Sequence, residues 1–292
     1  MVTRTARWTL ALSLTLGFAA LAGCGRQPTG RAPASGEAAG AKQVVNVLVP
    51  CGQVGPFSQV IKLFEKAHPE IAIEWAQENM VTMTKKVLDG KATPDVFLSM
   101  GDLEMDKLEQ AGKLLAGTRQ AYAPNSLALI VPAKNPGKVN TIQDLANPEV
   151  KAIAMPNPEV NSSGAHARQA FQKAGLWPKI ERKILLPRFG ADTKDLAVQG
   201  KVEVAIAYYP CSVEVHVPGA PPNLPKDLKL IGHIPSDLYP PFSVEGAVLK
   251  GAKNPEGGKV LLEFLHTPEA QQVFREWEFV RESPSPEPRT PG

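Results

Sequence analysis

The chain has 292 residues, of which 43% are hydrophobic, 21% charged and 6% aromatic, so it carries enough apolar material for a buried core and is too apolar to be disordered throughout. Its 32 basic and 29 acidic residues give a formal net charge of +3; Arg4 and Arg7 are the only charged residues before position 24, so 30 basic residues face 29 acidic ones beyond it. That near-neutral balance excludes the basic face of a nucleic-acid binder, and a length close to twice about 150 residues predicts two lobes.

Residues 1–23 carry a short positive region, an apolar stretch from Trp8 to Ala20, and Leu21-Ala22-Gly23 ahead of Cys24. The apolar stretch falls short of the roughly 18 residues that a spanning helix needs, and small residues before a cysteine resemble a bacterial lipoprotein signal with its lipobox. The resemblance implies export, cleavage before Cys24, a lipid on that thiol, and a periplasmic or cell-surface protein anchored to a membrane. Residues 24–43 are rich in Gly, Ala, Pro, Arg and Ser without an apolar period and predict a flexible tether. Residues 282–292 have the same character and predict a disordered tail.

Between them the pattern alternates. Residues 44–49 (VVNVLV) predict a strand that stops at Pro50-Cys51-Gly52, after which Phe57, Val60, Ile61, Phe64 and Ala67 recur at helical spacing. A strand over 71–75, a helix over 81–88 ending at Gly90, a strand over 95–98 and a short helix over 105–111 closed by Gly112 continue the βαβ rhythm of a parallel sheet. A second series begins at Asn125: strand 126–132, helix 141–145 behind a Thr cap, strand 152–155, helix 163–174 closed by Gly175, weak strand 184–186, helix 193–198 up to Gly200, and strand 204–207. The chain then returns through strands over 228–231 and 244–249 and helices over 258–266 and 268–279, the last behind Thr267-Pro268.

Seven motifs recur in a shared order: FEKAHPE at 64–70, DVFLS at 95–99, MDKL at 105–108 with Ala111-Gly112, NSLALIVP at 125–132, AGLW at 174–177, AIAY at 205–208 and VLKGAKNP at 248–255. Together they resemble the periplasmic molybdate-type solute-binding proteins of ABC importers over nearly the whole folded part. The resemblance implies an α/β fold of the two-lobed periplasmic-binding-protein type (type II-like), each lobe a mainly parallel sheet flanked by helices, with a ligand cleft between lobes that closes on its ligand. It places lobe 1 at 44–122 and 236–281 and lobe 2 at 123–235. It implies a monomeric binding protein with no catalytic role and no cofactor, whose partners are a small inorganic anion and an ABC permease in the membrane.

In such proteins the oxyanion is held without counter-charges, by hydroxyls and by N–H groups at helix N-termini. Carried onto this chain, the ligand positions fall at Gly52 beside Cys51, at Asn79 and Met80, at Ser163 with its neighbour Ser162, at Gly190 and at Tyr208. Both first-lobe serines of the family are replaced, by Gly52 and by Asn79-Met80. Asn161-Ser162-Ser163-Gly164 suits an anion nest by composition and suits a plain N-cap equally well. Tyr208 can offer its hydroxyl to a ligand or sit at the core edge with the hydroxyl bonded.

With Cys24 lipidated, Cys51 and Cys211 remain, on opposite lobes at the mouth of the cleft if the resemblance holds. Three readings stay open: a structural disulfide, free thiols for a soft ligand such as Cu(I), another thiophilic metal or arsenite, or unrelated buried cysteines. Met80, Met83 and Met100 could add thioether donors or be core residues. His68, His166, His216, His233 and His266 include no i, i+4 pair, which argues against zinc. Asp95, Asp102 and Glu104 read as strand and helix-start residues rather than an acid/base pair, and G-x-S-x-G, H-E-x-x-H and P-loop motifs are absent. The expected function is capture of a molybdate- or tungstate-like oxyanion, with soft-metal or thiophilic binding through Cys51 and Cys211 as the alternative.

Overall fold

The computed structural model describes residues 42–212 and 224–281. The signal, Cys24, the tether as far as residue 41, His216 and the 282–292 tail lie outside the described residues.

The first sheet is built from β1 (Gln43–Pro50), β2 (Ile71–Glu78), β3 (Val96–Ser99), β4 (Gln120–Asn125) and β10 (Phe242–Val248), in the order β2-β1-β3-β10-β4. The second contains β5 (Leu127–Pro132), β6 (Ile153–Ala154), β7 (Ile184–Leu185), β8 (Val204–Tyr208) and β9 (Leu228–His233), in the order β7-β6-β8-β5-β9. In each sheet the first three strands are mutually parallel and one strand, β10 or β5, runs against its neighbours. Four of five strands therefore point one way in both, the arrangement that crossover helices impose.

The periodicity explains the packing. Val45, Val47 and Val49 of β1 are buried on one face, and α1 (Val54–Ala67) lays Phe57, Val60, Ile61 and Phe64 against the sheet. α2 (Met80–Leu88) opens at Asn79, whose side chain accepts from the Val81 N–H at 2.9 Å. α3 (Asp102–Gln110) follows β3, which is buried at every position. In the second lobe α4 (Ser162–Lys173), the short α5 (Trp177–Ile180) and α6 (Asp192–Val198) flank the sheet. α7 (Pro255–Phe264) and α8 (Pro268–Glu276) return to the first, with α8 packed on α1.

Asp95 is the tie among these elements. Its carboxylate accepts from the Asn46 N–H at 2.8 Å and from the Asn254 N–H at 2.8 Å, linking β1, the start of β3 and the cap of α7. Asn254 in turn accepts from the Gly257 N–H, which is why α7 begins three residues ahead of the expected start. The expected helix over 141–145 is a 3₁₀ turn, Ile142–Ala146, and α8 stops at Glu276 rather than 279. The sequence pattern missed β4 and α5 altogether.

The chain passes from one sheet to the other at Ser126, between β4 and β5, one residue after Asn125, where the sequence pattern changes. It passes back between β9 and β10, over 234–241. The Ile234 N–H donates to the Leu127 carbonyl at 2.9 Å, so the two crossings are bonded to each other.

Candidate functional site

A cavity of about 490 Å³ lies between the two sheets, within the range of small-molecule sites. Its first-lobe wall includes Cys51, Gly52, Asn79, Met80 and Met100. The second lobe contributes Asn161, Ser163, Gly190, Lys194, Tyr208 and Cys211. Every expected ligand position except Ser162 therefore faces one space.

Local chemistry fixes each wall. The 3₁₀ turn Cys51–Gln53 is anchored by buried Gln53, whose Nε2 donates to the Ser99 carbonyl at 2.8 Å and whose Oε1 accepts from the Tyr122 hydroxyl. That clamp presents Cys51 and Gly52 at the cavity edge. On the far side Asn161 is the N-cap of α4, and its Oδ1 accepts from the Ser163 N–H at 3.0 Å and from the Ser163 hydroxyl at 2.5 Å. The Ser163 N–H also points at the Tyr208 hydroxyl oxygen, 3.1 Å away. The N-cap thus exists, and the same donors border the cavity.

Ser162 departs from the expected ligand role. It is fully buried, its hydroxyl and N–H both donate to the Glu104 carboxyl, and its oxygen accepts from the Leu103 N–H at 3.0 Å. Glu104 and Leu103 lie on α3, so Ser162 stitches the lobes together. Asp102 reaches His166 Nε2 at 3.0 Å and Lys107 donates to the Glu159 carbonyl along the same seam. Gly101 permits the contact, because a Cβ there would stand 2.3 Å from the Ser162 Cβ.

Burial raises the Glu104 carboxyl above its ordinary value, against the opposing Ser162 hydrogen bonds. Burial also opposes ionisation of Asp102, but the hydrogen bond and charge of His166, with the Asp102 and Leu103 N–H groups, together outweigh it and hold that carboxyl low. A carboxyl raised on folding is neutral in both states below its unfolded value and loses stability as pH climbs through the raised one. Replacing Glu104 with Gln, which stays neutral and keeps Ser162 partnered, should therefore stabilise the protein relative to wild type increasingly from about pH 4.5 upward. Thermal unfolding of both proteins across that window tests this, and parallel curves would refute it.

Met83 is wholly buried in the core and takes no part in the cavity. Cys51 and Cys211 are not joined in this structure; both are free. Lys194, whose ammonium donates to the Cys211 carbonyl at 2.6 Å, and Trp277, beside Gly55, are cavity residues that sequence reasoning missed. A single lysine on a short amphipathic helix carries no motif that could have singled it out. Among the described residues no group of three His, Cys, Asp or Glu side chains is placed to hold a metal ion, and no helix is long and apolar enough to cross a membrane.

The family model for bacterial extracellular solute-binding proteins matches residues 45–280. The chain belongs to that family. Its fold is the two-lobed periplasmic-binding-protein fold, and its role is to bind a solute rather than transform one. Among relatives, the putative ABC transporter substrate-binding lipoprotein YvgL of Bacillus subtilis is 24% identical over 227 residues, covering 77% of this chain and 81% of that one. The molybdate-binding protein ModA of Rhodobacter capsulatus is 25% identical over 188 residues, 64% of this chain and 69% of its own. The solved periplasmic molybdate-binding protein of Azotobacter vinelandii superposes with a TM-score of 0.66 at 18% identity, over 82% of this chain and 100% of that one.

Proposed function

We propose that this solute-binding protein serves an ABC importer, takes a small oxyanion of the molybdate or tungstate class in the interlobe cavity, and presents it to a membrane permease while anchored through a lipid on Cys24. The observation that carries the reading is the start of α4: the Ser163 N–H and the Tyr208 hydroxyl meet at 3.1 Å on the cavity wall, at the positive end of a twelve-residue helix. Asn79 and Met80 present the start of α2 from the opposite wall. Among the described residues Lys194 adds the one formal positive charge of the cavity lining. Burial, followed by the neighbouring Glu104, keeps the Tyr208 hydroxyl protonated, so it can donate to an anion.

Losing one hydrogen bond to a charged ligand costs about 1.5–3 kcal/mol, or roughly 10- to 150-fold in affinity. Tyr208→Phe should weaken molybdate or tungstate binding by that factor in calorimetry. An affinity unchanged by Tyr208→Phe would remove the tyrosine from the site, and a wild-type protein that binds neither anion would remove the oxyanion reading itself. The free thiols on both walls favour a second, softer ligand.

A further inference from the structure

Two sulfur atoms meet at Gly52 where the lobes come together at the cavity edge, and a second cysteine precedes that glycine. Gly52 has no side chain, and the point where its Cβ would stand lies 2.3 Å from Cys211 Sγ and 3.1 Å from Met100 Sδ. Both sulfurs thus rest against one glycine, and the residue before it is Cys51. The 3₁₀ turn of Cys51 packs directly on the 3₁₀ turn Pro210–Ser212, which carries Cys211 from the other lobe. All three residues line the cavity, together with Lys194.

We propose that Cys51 and Cys211, with Met100 as a third donor, form a binding site for a soft monovalent cation such as Cu(I), closed across the two lobes. The proposal rests on the interlobe cavity being the ligand site, as above, and names a second ligand class for it. Two thiolates and a thioether suit a polarizable d¹⁰ ion, whereas hard divalent ions want the clustered carboxylates and imidazoles that the described residues do not supply. Charge also balances. One Cu(I) displaces the protons of two thiols, releasing two H⁺ and leaving a bis-thiolate complex of net charge −1, which the Lys194 ammonium offsets. Because the thiols must lose their protons to ligate, metal uptake releases protons and affinity falls as pH drops.

The cavity has room for this chemistry beside an anion. Water occupies about 30 Å³ per molecule, so an anion of five heavy atoms displaces only a small part of some 490 Å³. The anion donors sit at the start of α4, while the sulfurs sit at the Gly52 edge.

The test is titration of the reduced full-length protein with Cu(I), under anaerobic conditions and against a chromogenic Cu(I) chelator, with molybdate calorimetry on the same samples. One Cu(I) per chain is expected, retained in Cys24→Ser. Loss of groups that only support a metal ligand costs 10- to 100-fold, so removing a ligand itself, in Cys51→Ser or Cys211→Ser, should weaken binding by at least about 100-fold. Met100→Leu, which conserves volume, should weaken it by about 10-fold. X-ray absorption should show sulfur neighbours only. Cu(I) binding that survives the Cys51→Ser, Cys211→Ser double variant overturns the proposal. So does a reduced protein that takes up no Cu(I), including one whose two thiols pair as a disulfide on oxidation. Molybdate affinity, measured separately, reports on the oxyanion reading, so either can fail alone.

Discussion

Gly164→Ala is expected to destabilise the protein by about 3 kcal/mol and to weaken ligand binding with it. Helix propensity argues the other way, since alanine is favoured over glycine by about 1 kcal/mol inside a helix. Here sterics win. A Cβ at this position would stand 2.1 Å from the Pro156 carbonyl oxygen and 2.8 Å from its carbon, both backbone atoms that no rotamer change can move aside. Forcing extra atoms into such a site costs about 1–3 kcal/mol and occasionally more, and relief requires α4 to shift away from the 156–157 segment. That shift would move the Ser163 N–H and the Asn161 cap, both on the cavity wall. Urea unfolding together with anion calorimetry checks both parts; a variant as stable as wild type would show that the segment yields freely.

Asp95→Ala should cost about 2–4 kcal/mol at neutral pH, because it strands two half-buried backbone donors, the N–H groups of Asn46 and Asn254, beside the buried Asp95 side-chain site. Burial works against ionisation of Asp95, but hydrogen bonds from the N–H groups of Asn46, Asn254 and Lys253 and from the Asn46 side chain together outweigh it and set the carboxyl below its ordinary value. A carboxyl lowered on folding stabilises above its unfolded value, and that stability is lost as pH falls through the lowered one. The gap between wild type and Asp95→Ala should therefore be widest at neutral pH and shrink on the acid side. Asp95→Asn, which keeps one acceptor, should fall between the two. Equal stability of all three proteins at neutral pH would show that the carboxylate does not hold β1, β3 and α7 together.

Elements with a strong period are legible in the amino-acid sequence itself. The valines of β1, the i, i+3, i+4 series of α1 and the continuous apolar run of β5 each point to one conformation, and packing agrees with it. β4 is not legible in this way. Its sequence, QAYAPN, mixes polar residues with a proline, and it is tolerated because among the described residues β4 pairs with β10 alone, at the sheet edge. In the site, Asn79, Ser163 and Tyr208 are located by resemblance rather than by any local signal. That Ser162 bonds Glu104 rather than lining the cavity is not legible from sequence, because the two lie 58 positions apart and no sequence period connects them. Lys194 escapes for the same reason: what makes it a cavity residue is the neighbour that folding brings to it.

The passage at Ser126 has a mechanical consequence. Asn125, Ser126 and Leu127 are all buried, and Asn125 donates from its amide to the Met100 carbonyl at 2.7 Å while its own Oδ1 accepts from Ser126 N–H. The joint between the halves is therefore a captive axle rather than a loose strap, and the bond from Ile234 to Leu127 keeps the return segment beside it. Were the halves to close on a ligand, a joint this short and buried would favour rotation about it over sliding. The outer rims of the halves, far from that axle, would then move in proportion to the gap at the cavity. A membrane partner that touched both rims would read occupancy as a spacing between two patches, without contacting the solute.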